Sequence, residues 1–182
     1  GGRLGGETLL IIGSPRGFPL GEHLRLGPYD EPLLAETTHV PLLVRHPRWV
    51  SEAARSQALV QPGDLEPTLL DFMGVATTGA PAVARSLSTI IGGERDSLRD
   101  RLGIVGEDGE KALITPAWYY RTSPTEELFV RPDDFWQANN VAARCPEVVA
   151  LLQGALREYT EAIQSGHGEL PPLDDRLILG VD

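Results

Sequence analysis

The sequence predicts an α/β protein. Part of a mostly parallel sheet with its helices occupies residues 1–95, and a small antiparallel sheet packed by a C-terminal helix occupies residues 96–182. Three observations predict this. Thr8-Leu9-Leu10-Ile11-Ile12-Gly13 is a short apolar run, rich in β-branched residues and bounded by glycine. It reads as a strand buried on both faces, as in a parallel sheet. Asp64 to Gly74 carries helix punctuation at both ends. From Leu102 onward, short apolar segments alternate with turn residues and then give way to a long helical pattern.

The elements follow in chain order. Ser14 to Pro32 is rich in Gly and Pro and reads as a loop with a single helical turn. Val40-Pro41-Leu42-Leu43-Val44 is a second strand, with Pro41, which lacks an amide donor, at its start or edge. Gln57-Ala58-Leu59-Val60 is a weaker third. In the helix after Asp64, Leu65, Leu69, Phe72 and Met73 fall on one apolar stripe. Residues 75–101 read as irregular, with a loop at Thr77–Pro81. Leu102–Val105, Ala112–Ile114, Ala117–Tyr120 and Glu127–Val130 form a meander with turns at Glu107-Asp108-Gly109 and Ser123-Pro124-Thr125. Pro146 opens a helix to Gln164, with Leu152, Leu156, Tyr159 and Ile163 as its buried stripe and Gly166 beyond its end. The Pro171-Pro172 tail reads as extended.

Composition narrows the function classes. With 41% hydrophobic and 23% charged residues, the 182-residue chain can bury a core. No apolar run reaches the roughly 20 residues of a membrane span. A single cysteine, Cys145, excludes an internal disulfide and a thiolate-rich zinc site. The formal charge of -10 disfavours binding to nucleic acid. Lys111 is the only lysine, so every other base is an arginine. The chain opens Gly1-Gly2-Arg3 with no signal pattern, which reads as an internal start. A sheet of two or three strands with an open apolar edge supports the expectation that upstream chain is missing.

A set of motifs runs the length of the chain. They are Ser14-Pro15-Arg16-Gly17 after the first strand, Gly21-Glu22-His23-Leu24, Glu36-Thr37-Thr38-His39-Val40-Pro41-Leu42 and Gly63-Asp64-Leu65-Glu66-Pro67-Thr68-Leu69-Leu70-Asp71-Phe72-Met73-Gly74. Arg85-Ser86-Leu87, Glu127-Leu128-Phe129-Val130 and Asn139-Asn140-Val141-Ala142 follow. In this order they resemble the C-terminal half of the sulfatase family, in the alkaline phosphatase superfamily. That family reads S-D-H-G, G-E-H-G, G-K, V-P-L, V-D-L-x-P-T-L-L-D-x-x-G, G-x-S-L, E-L-Y-D-L and N-N-L-A. The resemblance implies an alkaline-phosphatase-like fold, an ester hydrolase ancestry and, since many relatives are exported, an exported or periplasmic location.

The departures point the other way. In the family, the Asp and His of S-D-H-G bind a divalent cation, and Pro15 and Arg16 stand at those positions here. Arginine is permanently charged and is not a ligand. The family lysine that contacts sulfate falls near Pro28. The nucleophile motif C-x-P-S-R is not in this chain, and Cys145-Pro146-Glu147 does not fit it. Two readings of Arg16 follow. Its guanidinium either holds an anion in the space of the lost metal, with Ser14 and His23 as further anion-binding candidates, or it is solvated on a decayed loop. The sequence alone favours the second. His23 more simply packs its loop, and His39, His46 and His167 read as edge or exposed residues. Asp64 reads as an N-cap and Asp71 as a polar-face residue. Trp118, Tyr119, Tyr120 and Phe129 read as sheet core, Trp136 as a plug before the last helix, and Cys145 as an unreactive helix-start residue.

The expectation is therefore a sulfatase-like protein without sulfatase turnover, with an anion-binding or scaffolding role and no cofactor. Its partners would be the N-terminal half of the same protein and a sulfated or phosphorylated small molecule or glycan. The alternative is an active sulfuric or phosphoric ester hydrolase whose nucleophile and other ligands lie upstream, with calcium or magnesium as its cofactor.

Overall fold

Among the described residues, two sheets form, one on either side in sequence of an arginine-rich segment. A computed structural model describes residues 7–27, 33–47, 54–76, 83–106, 109–122, 125–166 and 170–181. The first sheet pairs β1 (Leu10–Gly13) with β2 (Leu42–Arg45), and α1 (Ala35–Thr38) lies between them in sequence. The pairing is antiparallel, from Leu10 opposite Arg45 to Gly13 opposite Leu42. Burial on both faces is not met among the described residues, while this one pairing stays compatible with the expected mostly parallel sheet. Ile12 and Leu43 are paired across the ladder and are 54% and 59% exposed. Apolar content alone does not distinguish a covered strand from one whose covering layer lies elsewhere. Gln57–Val60 forms no strand.

Then α2 (Leu65–Met73) ends at Gly74, whose φ of 70° supplies the left-handed stop. Its expected apolar stripe is not a core stripe. Leu69 and Met73 are 41% and 61% exposed, while Pro67 and Thr68 are buried. Asp64 also departs from the N-cap expectation. Its side chain does not cap α2 but is fully buried, accepting hydrogen bonds from the backbone N–H groups of Gln61 (2.8 Å) and Arg85 (2.9 Å). Both of its oxygens also take the Arg99 fork at 2.7 Å. Arg99 reaches the carbonyls of Leu59 and Val83 as well, so this pair ties α2 to the segment holding α3 (Ser88–Ile91).

The second sheet is the expected meander. It runs β3 (Leu102–Val105), β4 (Lys111–Ile114), β5 (Trp118–Arg121) and β6 (Glu127–Val130), each antiparallel to the next. Every residue of β5 is buried, because both faces of the sheet are covered. On one face, Leu113, Tyr120 and Leu128 pack under α4 (Pro146–Ser165) through Val148, Leu152, Leu156 and Tyr159. Full burial of a side chain like Leu152 contributes about 1.5–3 kcal/mol. On the other face, Ala112, Tyr119 and Phe129 meet Leu33, which leads into α1. Gly103 is required where the Tyr159 ring crosses β3, since a Cβ there would lie 2.4 Å from that ring. The helix ends at Gly166, φ 71°, but Ile163 is 48% exposed and so falls outside the core stripe. The tail forms a short helix, α5 (Asp175–Leu179), in place of a fully extended run; Leu177 is buried in the α4 core and Arg176 O accepts from Trp118 Nε1.

His46 and Trp136 also depart from expectation. His46 is buried at 8% exposure, edge-on to Phe72 at 5.4 Å. Trp136 is no plug; it is 61% exposed and stands against Phe135, which in turn meets His39. His167 lies outside the described residues, as do Pro28 and the loop at 77–82.

Candidate functional site

The register of the first sheet fixes where the candidate residues lie. Gly13, the last residue of β1, is opposite Leu42, the first of β2. The loop that follows β1 and helix α1 that precedes β2 therefore leave the sheet at the same end. Ser14 Oγ donates to Arg16 O at 2.6 Å, closing a tight side-chain turn that leaves Arg16 exposed. Gly17 N donates to Thr37 O at 3.2 Å. Here glycine is obligatory, since a Cβ on Gly17 would lie 2.0 Å from the Glu36 carbonyl oxygen. The loop carrying Arg16 is thus seated on the backbone of α1.

The next turn, Glu22–Leu24, is the helical turn expected in this loop. His23 and Leu24 both adopt left-handed backbone, at φ 50° and 58°. Leu24 keeps a glycine-like conformation at a cost of about 1–2 kcal/mol. Its side chain is fully exposed. Such a conformation persists where the surroundings over-determine it. They do so through His23, whose Nδ1 lies 2.9 Å from Glu36 Oε1 and whose Nε2 lies 3.4 Å from Gln137 O. Both ring nitrogens therefore face acceptors. Glu22, whose carboxylate takes its own backbone N–H and that of Leu20, is held below the usual carboxylate range.

Residues from the second sheet close the back of the site. Gln137, 5% exposed and at φ 52°, accepts from Ala35 N through its side chain at 2.9 Å. Tyr119 OH donates to Leu33 O at 2.6 Å and lies 3.2 Å from Thr38 Oγ1. Burial pushes the Tyr119 hydroxyl up to about 12. Glu110 accepts from Leu33 N at 3.0 Å and pairs with Arg121 at 3.1 Å. Sequence reasoning missed Glu36, Gln137, Glu110 and Tyr119 as supports of this loop. A solitary polar residue between turn signals gives no hint that it will meet a helix a hundred positions away.

The structure brings Ser14, Arg16 and His23 to one end of the first sheet around α1, while Cys145 stands apart at the start of α4. Among the described residues, no histidine or carboxylate hydrogen-bonds Ser14. Among the described residues, no group of three or more His, Cys, Asp or Glu side chains is placed to hold a metal ion.

The fold has well-matched relatives. A 2-O GAG sulfatase superposes on 93% of this chain with a TM-score of 0.74 and 21% identity. A protein solved with its substrate D-glucosamine-2-N,6-O-disulfate superposes on 87% with a TM-score of 0.73. In sequence, 70 residues are 36% identical to an N-acetylglucosamine-6-O-sulfatase of Bacteroides thetaiotaomicron. The fold is that of the sulfatases. The sulfatase-like chain spans 40% and 35% of those two solved structures, respectively, and its matched segment spans 12% of the curated sulfatase. A phosphonate monoester hydrolase of Agrobacterium radiobacter shares the fold at a TM-score of 0.64, covering 89% of the sulfatase-like chain. No protein-family model matches it.

Proposed function

We propose that this chain is part of a sulfatase-like protein whose former metal loop is an oxyanion seat. It binds a sulfated or phosphorylated small molecule or glycan without metal-assisted hydrolysis. One observation carries this reading. A permanent cation, Arg16, stands at the family's ligand position on a loop whose Gly17 packs directly against α1. A loop drifting after loss of function has no need of that close approach. The close approach of Gly17 holds the Arg16 loop in one place on α1, as an anion seat requires.

The donor set does not fit a divalent cation. Calcium and magnesium take several oxygen ligands, mainly carboxylates. Pro15 has no side-chain donor, Arg16 repels a cation, and the nearby Glu36 carboxylate is engaged by His23. In this reading Arg16 supplies charge-assisted hydrogen bonds to the oxyanion, Ser14 shapes the turn that presents it, and His23 locks the loop to Glu36. The remainder of a sulfatase fold would be the partner that covers the exposed apolar residues Ile12 and Leu43, and an exported location rests on the family resemblance alone.

The test uses the full-length protein. Inorganic sulfate should bind saturably, and Arg16→Ala should weaken it about tenfold or more. Stoichiometric bound calcium together with turnover of an aryl sulfate would overturn the reading in favour of a working hydrolase completed by residues outside this chain.

A further inference from the structure

The turn that follows the Arg16 loop is tied to α1 and to the second sheet through the His23 imidazole. The turn closes on itself through the Leu20–Leu26 bridge and a hydrogen bond from Gly27 N to Pro19 O at 3.1 Å. His23 Nδ1 lies 2.9 Å from Glu36 Oε1 on α1, and Nε2 lies 3.4 Å from Gln137 O. Glu36 is also the residue whose backbone Gly17 presses against, and Gln137 Oε1 accepts from Ala35 N at 2.9 Å. The imidazole therefore fastens onto the same stretch of α1 that seats the Arg16 loop.

Both of its partners are acceptors only. A carboxylate and a backbone carbonyl offer lone pairs and no hydrogen. A neutral imidazole has one N–H, so either tautomer turns a ring lone pair toward one of these oxygens, whereas the imidazolium donates to both. The Glu36 side chain is 10% exposed and that of His23 28%, so water competes little for the carboxylate. The other charged groups nearby are Glu22 and Arg25 on the same turn and Asp134 on the segment that carries Gln137. Glu22 is engaged by Leu20 N, and Asp134 by Ala138 N and Asn139 N, which leaves Glu36 as the carboxylate set on the ring. Tyr119, behind Gln137, is pushed up to about 12 and stays neutral while an imidazole titrates.

We propose that His23 is a pH-sensitive latch whose imidazolium fastens residues 19–27 to α1 and to Gln137, and whose loss of a proton releases this turn beside Arg16. An imidazole changes charge between about pH 5 and 8. As the pH rises through that range, one of the two contacts loses its hydrogen and the ion pair with Glu36 loses its cation, so the latch is closed on the acid side. Gly21 and Gly27, at φ 136° and 89° with open space where a Cβ would stand, are the points about which the turn pivots. That the latch also gates anion binding rests on the reading of Arg16 given above; the latch itself does not.

The experiment uses the full-length protein. Hydrogen exchange of residues 15–27 is followed by mass spectrometry at about pH 5.5 and about pH 8, corrected for the intrinsic pH dependence of exchange. Protection should fall about tenfold or more at the higher pH, as expected for loss of a charge-assisted contact. His23→Asn does not titrate and suits left-handed backbone, so its protection should be equal at the two pH values, and Glu36→Gln should shrink the difference. Sodium sulfate titrated at the same two pH values reads the gate. Affinity that falls about tenfold with rising pH, but stays level in His23→Asn, supports it. Protection indifferent to pH, or falling equally in both variants, overturns the latch whatever sulfate does. Affinity indifferent to pH while protection falls overturns the gate. Protection that falls with no sulfate bound at either pH supports the latch and overturns the anion seat instead. Should His23→Asn fail to fold, Glu36→Gln carries the comparison.

Discussion

The two sheets are held together by different physics. Around the meander, a continuous apolar cluster is buried, from Leu113 and Tyr120 through Leu152 to Leu177, with the polar Thr115 and Arg121 buried beside it. Around the first sheet and α2, fully buried side chains include the polar Asp64 and Thr68, while Ile12, Leu20, Leu43 and Met73 remain exposed. One region is stabilised by area removed from water and the other by directed hydrogen bonds and an enclosed ion pair. An apolar core tolerates small shifts. A polar hub does not, because each lost partner leaves a buried charge or donor unmatched. The candidate anion loop sits in the polar region but leans on the apolar one through Gln137 and Tyr119. Residues of the second region thus hold the backbone and loop around α1 in the first.

The largest expected effect sharpens that contrast. Asp64→Ala strands the Arg99 guanidinium and should cost about 3–5 kcal/mol, measured by denaturant unfolding. Loss of under 1 kcal/mol would mean that the hub is solvated and the contrast false. Next is Leu152→Ala, expected to cost about 2–5 kcal/mol, against less than about 1 kcal/mol for the exposed Leu43→Ala. Equal losses would erase the distinction between the two regions.

A smaller effect probes the contact between them. Tyr119 is held well above its ordinary value of 10.0, at about 12, so its neutral hydroxyl is favoured in the folded state. The stability this gives is complete below pH 10 and is lost as the pH rises toward about 12. Unfolding free energy should therefore fall across that window, and Tyr119→Phe should flatten the profile. The smallest effect has the opposite sign. Gly154 lies within α4, and a Cβ there meets nothing within 4 Å. Gly154→Ala should stabilise the protein by about 0.5–1 kcal/mol, read as a rise in melting temperature.

Much of this was legible in the sequence. The meander and α4 were, because Pro146, Gly166 and the alternation of short apolar runs with turn residues are local signals. So was the sulfatase likeness, carried by ordered motifs such as Gly63–Gly74 and Asn139–Ala142. Only the tertiary structure decided which apolar stripes are covered. Ile163, Leu69 and Met73 carry the same helical spacing as Leu152 and Leu156, and spacing does not reveal whether a neighbour arrives. Tertiary structure alone also turned Asp64 from a cap into a buried hub, placed Gln137 and Tyr119 behind α1, and left Arg101 Nη1 facing no partner. The physical reason is the same throughout: caps, turns and periodicity act within a few residues along the chain, whereas burial and the pairing of polar groups depend on segments that meet only after folding.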